Sequence, residues 1–167
     1  KKIIPINHME GHIYSCFAQN SKGNPQRDFD FPYIAFLISG GHTQLVLFTA
    51  HLTYQIIGET VDDAAGESLD KAAKMLGLGY PGGAVIERLA QKGDPRYHQF
   101  PRPLAWSKDL NFSFSGLKTS LFYHLKTISE SEKKNHLEDL ASSFQEEVLE
   151  SLLIKLKNAI KSTGVNR

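Results

Sequence analysis

The spacing of apolar and polar positions changes along this chain, and each change marks a different element. Residues 2–7 read as a short strand running into Asn7, whose side chain suits an N-cap for a helix through Tyr14 and Phe17. Residues 20–31 are polar with Gly and Pro and read as a loop. Three extended segments follow at 32–39, 43–49 and 52–59, rich in β-branched and aromatic side chains. Short connections at Gly40-Gly41-His42 and Ala50-His51 make them an antiparallel meander. The first is apolar on both faces, which predicts a strand in the middle of a covered sheet, whereas the second alternates.

From Val61 the period becomes helical. Ala65, Leu69, Ala72, Ala73 and Leu76 share a stripe, with Asp62, Asp63 and Glu67 in the first turns and Gly77 as the stop. Pro81-Gly82-Gly83 opens a second helix through Ile86, Leu89 and Ala90, ending near Gly93. Residues 94–111 carry Pro95, Pro101, Pro103 and Trp106 and read as an ordered excursion rather than a linker. Phe112-Ser113-Phe114-Ser115-Gly116 leads into a helix over 117–125. Leu137, Leu140, Ala141, Phe144, Val148, Leu152, Leu156 and Ile160 then recur at three- and four-residue steps, predicting one long amphipathic helix with lysines gathered at its end.

Composition narrows the functional classes only slightly. With 41% hydrophobic and 22% charged residues among 167, the chain can bury a core. Its 19 basic and 18 acidic side chains leave a net charge of +1, which neither advertises nor excludes a nucleic-acid partner. A single cysteine, Cys16, cannot form an internal disulfide, so a reducing, cytoplasmic setting is the expectation. The longest apolar run, residues 33–38, is far too short to span a bilayer, so no membrane role is expected. Both ends read as cut, and a fragment is expected.

Several residues carry candidate chemistry. His8 and His12 stand four apart, which on a helix puts both imidazoles on one face within reach of one metal ion. A zinc protease would need Glu beside one of these histidines, whereas Glu10 lies midway, with Met9 and Gly11 at the flanking positions. Ser39-Gly40-Gly41-His42-Thr43 joins two strands through consecutive glycines, which permit positive φ and a close approach of main-chain N–H groups to a phosphate. A plain hairpin turn needs the same residues. Dipole compensation accounts for Asp62, Asp63 and Glu67, but Asp70 lies beyond the first turn beside Leu69, where its carboxylate requires a hydrogen-bond partner such as a ribose hydroxyl. Gly82-Gly83 is either a helix entry or a ligand contact. Together, a phosphate hairpin, a third strand and an acid-bearing helix describe the nucleotide cleft of an actin-like fold.

Six stretches in order carry a more specific resemblance: Asn7-His8-Met9-Glu10-Gly11-His12, Leu37-Ile38-Ser39-Gly40-Gly41-His42-Thr43, Gly58 to Glu67 (GETVDDAAGE), Asp70-Lys71, Tyr80-Pro81-Gly82-Gly83, and Phe112 to Thr119 (FSFSGLKT). Across nearly its whole length the chain resembles the bacterial threonylcarbamoyltransferases of transfer RNA, a family long misread as O-sialoglycoprotein endopeptidases. That resemblance implies an α/β fold of the actin-like ATPase class (ASKHA, ribonuclease H-like), present in part. Residues 1–31 would end an N-terminal lobe with the HxxxH helix, and 32–167 would begin the second lobe. It implies that His8 and His12 are two ligands of one iron or zinc ion, the third being an aspartate beyond Arg167. It also implies that Leu37, Ile38, Ser39, Gly40 and Gly41 contact an adenylate, with Asp70 and Gly83 touching the nucleoside. Glu87 stands where many members have aspartate and is left out of the site.

The implied reaction moves a threonylcarbamoyl group from threonylcarbamoyl-adenylate to the exocyclic amine of the adenosine beside the anticodon, in tRNAs reading codons that begin with A. The expected partners are tRNA, a paralogous scaffold subunit and an ATPase subunit. No general base is assigned, and the 167 residues alone are expected to bind metal weakly and be inactive. Alternatives are a non-catalytic paralogous scaffold, an actin-like kinase, or a metalloprotease, which the position of Glu10 disfavours.

Overall fold

A computed structural model describes every residue except Lys1, Lys2, Ile4, Pro25, Arg27, Asp28 and Phe29. Helix α1 (His8–Ser15) is followed by strands β1 (Tyr33–Ile38), β2 (Thr43–Ala50) and β3 (Thr53–Glu59). Helices α2 (Ala65–Leu76), α3 (Gly82–Ala90), α4 (Ser115–Thr127), α5 (Glu130–Asn135) and α6 (Leu137–Thr163) complete the chain. The strand read at 2–7 lies partly outside the described residues; Ile3, Pro5, Ile6 and Asn7 form no strand, and Ile3 and Ile6 are exposed. Part of the loop at 20–31 likewise lies outside them.

The meander forms as the pattern predicts, antiparallel, in the order β1-β2-β3. Among the described residues β1 is therefore an edge strand, not the middle one. Its two-sided apolarity reports covered faces, not position within the sheet. Tyr33, Ala35 and Leu37 pack with Val46 and Phe48 against α1, while Ile34 and Phe36 pack with Leu45 against the helices on the opposite face. At the free edge, Ile34 N–H donates to the Arg167 carbonyl at 2.8 Å.

The larger core lies under α2, α3, α4 and α6, where Ala72, Ala73, Ile86, Leu117, Leu121, Leu140, Phe144 and Val148 are buried together. Helix α2 begins at Ala65 rather than Val61. Thr60 Oγ1 donates to the Asp63 carbonyl at 2.6 Å, and Val61 N–H donates to the Phe112 carbonyl, so residues 60–64 form a tied loop. Gly77 ends α2 in the left-handed region, as its position predicts. Gly82 allows α3 to approach α2, because a Cβ there would meet the Ala73 Cβ at 2.5 Å.

The short helix α5 is an addition to the sequence reading, and Ser129 caps it by accepting from Glu132 N–H. The excursion at 94–111 is ordered, with Phe100 and Ala105 buried. One of the lysines gathered toward the end of α6 is only 1% exposed: Lys155 Nζ donates to Ser107 Oγ and to the Asp109 carbonyl, both at 2.7 Å. Burial lowers the pKa of this amine, with Asp109 opposing the shift.

Candidate functional site

Asn7 Oδ1 accepts from the N–H groups of Met9 and Glu10, starting α1 so that His8 and His12 fall on one exposed face. Their Nε2 atoms stand 3.1 Å apart, with ring centroids at 4.5 Å. An ion about 2.0–2.1 Å from each nitrogen would subtend about 98° at that separation, an ordinary angle for such metals. The pair therefore fits a shared metal. Among the described residues no group of three or more His, Cys, Asp or Glu is placed to hold one. The His42 ring, not anticipated from the sequence, lies 6.4 Å from that of His8, so the glycine turn and the imidazole pair are neighbours.

That turn is organised by Ser39. Its N–H donates to the His42 carbonyl at 2.8 Å, and its Oγ accepts from Gly41 N–H at 3.3 Å and His42 N–H at 3.0 Å. Two expectations change here. Neither Gly40 nor Gly41 has a positive φ, and the main-chain amides of Gly41 and His42 are engaged by the Ser39 hydroxyl. Gly40 N–H has no partner among the described residues. A Cβ on Gly40 or Gly41 would meet nothing within 4 Å. Backbone conformation and packing thus place no demand for glycine at the tip, which leaves an open approach to the main chain.

The N-terminus of α2 abuts the base of the turn, with Gly66 N–H donating to the Ser39 carbonyl at 3.2 Å. Four residues on, hence on the same helix face and about 6 Å along the axis, lies Asp70. Its Oδ1 accepts from Gly82 N–H at 2.8 Å and Gly83 N–H at 3.1 Å. The partly buried carboxylate is thus satisfied within the chain, with no ribose hydroxyl needed to offset its desolvation. Oδ2 has no partner among the described residues. A cavity of about 300 Å³ opens beside it, lined by Glu67, Lys71, Lys74 and the exposed Tyr80. Ile38 is exposed next to the turn, whereas Leu37 packs toward α1.

Asp62 and Asp63 precede α2 and do more than compensate its dipole. Asp62 accepts from Phe114 N–H at 2.8 Å, Ser115 N–H at 3.3 Å and the hydroxyls of Ser113 and Ser115, capping α4 across the fold. Burial pushes its pKa up, but these hydrogen bonds prevail and hold it below the usual carboxylate value. Asp63 is likewise raised by burial and lowered further by Lys71 at 2.6 Å and Lys118 at 3.0 Å. Lys71 also pairs with Glu67 at 2.9 Å, and its own pKa is raised by Asp63 first and Glu67 second.

Sequence comparison adds the lineage. A model of the tRNA N6-adenosine threonylcarbamoyltransferase family (TsaD) matches residues 1–167. The chain belongs to that family. It is 46% identical over 165 residues to the tRNA N6-adenosine threonylcarbamoyltransferase of Syntrophotalea carbinolica, covering 99% of this chain and 46% of that protein. The Bordetella petrii protein of the same name is 46% identical over 169 residues, covering 98% and 46%. That of Thermotoga neapolitana is 41% identical over 167 residues, covering 100% and 48%.

The chain spans about half the length of the curated relatives it matches. As a member of this family it carries part of an actin-like ATPase fold, here the three-stranded antiparallel sheet and the helices that follow. Among the described residues no helix is long and apolar enough to cross a membrane. Of the residues singled out in the sequence, the structure joins His8 and His12 to the glycine turn through His42, the turn to α2 through Gly66, and Asp70 to Gly83 directly. The ties of Asp62, Asp63 and Lys118 were missed. Ser113-x-Ser115 ahead of a helix was the available signal, since such hydroxyls commonly meet a capping group.

Proposed function

We propose that the full-length protein transfers a threonylcarbamoyl group from threonylcarbamoyl-adenylate to N6 of the adenosine beside the anticodon, in tRNAs reading codons that begin with A, and that this chain supplies the adenylate-binding wall. The observation that carries the reading is the row of features along α2: the open Gly40-Gly41 turn at its N-terminus, then Asp70 and Gly83 one turn further on.

In that assignment the turn and the N-terminal end of α2 receive the phosphate, where Gly40 N–H and the helix dipole favour an anion. Asp70 Oδ2 accepts from a ribose hydroxyl, and Gly83 leaves room for the nucleoside. Leu37, Ile38 and Ser39 shape the approach. His8 and His12 hold one iron or zinc ion, whose Lewis acidity would polarise the acyl carbonyl. Its third protein ligand comes from outside residues 1–167. The adenosine amine forms the new C–N bond as the C–O bond to AMP breaks, and the departing phosphate takes the amine proton. No side chain is assigned as general base.

We further propose that residues 1–31 close one lobe and 32–167 open the next, with α1 resting on the sheet at the junction. A cytoplasmic location, a paralogous scaffold subunit and an ATPase subunit complete the reading. The direct test incubates full-length protein, together with its scaffold and ATPase subunits, with threonylcarbamoyl-adenylate and unmodified tRNA and measures threonylcarbamoyladenosine by mass spectrometry. Formation that is abolished by H8A supports the assignment, and no modified nucleoside refutes it. The 167 residues alone are expected to give none.

A further inference from the structure

Glu10 lies between the paired histidines in sequence yet takes no part in their face. At 100° per residue it projects about 200° from either imidazole, on the opposite side of α1. There its Oε1 accepts from Tyr54 Oη of β3 at 2.8 Å. This bond raises the Tyr54 pKa. A second tie lies one turn further along, where Leu52 N–H donates to Tyr14 Oη at 2.9 Å. Ile13, between them, is the buried residue of the helix.

An eight-residue helix has little stability of its own, so its orientation comes from such contacts. Ile13 and Tyr14 anchor the C-terminal half. The half that bears His8 is held to the sheet by Glu10. We propose that Tyr54 is a positioning residue for the His8–His12 pair, acting through Glu10 to fix the pair against the glycine turn. The proposal rests on the metal assignment above. It also accounts for a glutamate whose placement suits no protease: its carboxylate serves as an anchor, not a base.

Tyr54 is 38% exposed and its ring lies 4.9 Å from that of Phe48, so removing only the hydroxyl preserves the packing. The test titrates Co²⁺ as a spectroscopic probe into metal-free full-length protein and, separately, follows amide hydrogen exchange at residues 8–12 without metal. Y54F and E10A are expected to weaken Co²⁺ binding about tenfold, the lower range for groups that orient metal-bound imidazoles, to alter its visible bands, and to speed exchange at 8–12. E10Q, whose amide oxygen still accepts the Tyr54 proton, should behave as wild type. Wild-type Co²⁺ affinity and exchange in Y54F would overturn the proposal. If H8A binds Co²⁺ as well as wild type, the metal assignment itself fails and the positioning role with it, whatever Y54F does.

Discussion

Replacing Gly66 by alanine probes whether α2 holds the glycine turn in place. A Cβ at Gly66 would lie 2.8 Å from the Ser39 carbonyl oxygen, 2.9 Å from Gly40 Cα and 3.0 Å from Gly40 N. Carbon atoms settle at about 3.5–4.0 Å, so the backbone of the turn must retreat by up to about 1 Å. Overpacking of this kind costs about 1–3 kcal/mol. Alanine offsets this by at most about 1 kcal/mol through its helix preference. With the full offset a net loss of about 0–2 kcal/mol follows, set against Gly83, where an added Cβ meets only the Leu69 side chain, at 3.9 Å. In full-length protein, G66A should lower the urea midpoint at unchanged slope and weaken AMP binding in calorimetry by about tenfold or more. G83A should leave the midpoint unchanged or slightly raised, through the helix preference of alanine, while weakening AMP, since only the nucleoside approach is obstructed. A G66A protein with wild-type midpoint and AMP affinity would refute the reasoning.

Other expectations follow from the same geometry. G41V should abolish AMP binding while leaving the unfolding midpoint in place, because nothing lies within 4 Å of the new Cβ; retained affinity in calorimetry would remove the turn from the site. D62A should cost about 1–2 kcal/mol, the value of a lost helix cap, and should flatten the acid limb of the stability profile. Because the folded Asp62 pKa is lowered, its contribution is present above the unfolded carboxylate value and disappears as pH falls through the folded one. His98 is stacked 3.8 Å from His124, and burial first, then His124, lowers its pKa. Stability should therefore decline as pH drops below the ordinary histidine value of about 6.5 toward the folded one, a slope that H98F should reduce in urea titrations across that window. K155M leaves the Asp109 carbonyl without its donor, and calorimetric unfolding should register a loss of about 1–3 kcal/mol.

Local patterning was enough to read most of the elements, though not the strand placed at 2–7 or the start of α2. The period change after residue 60, the Gly77 stop, the Asn7 cap and the long stripe from Leu137 to Ile160 depend on neighbours a few positions away, and those are present in the sequence itself. The pairing of His8 with His12 is equally local, since a helical step of four settles it. The motifs also carried the family. Helix α5 was overlooked although Ser129-x-x-Glu132 is a local start signal, because its six residues bury nothing and leave no apolar period to detect.

Partners across the fold were decided only by tertiary structure. Asp62 meets Phe114 N–H across 52 positions and Glu10 meets Tyr54 across 44, and no periodicity encodes which amide or hydroxyl a carboxylate will find. Asp70 had to be paired, as its half-buried setting required, but the approach of α3 made the partners the Gly82 and Gly83 amides. Burial of Lys155 likewise depended on where the excursion at 94–111 settled. Apolarity on both faces of β1 fixed that both would be covered, while sheet order left it at the edge. Side-chain chemistry along the chain determines what each group requires; packing of distant segments determines which group supplies it.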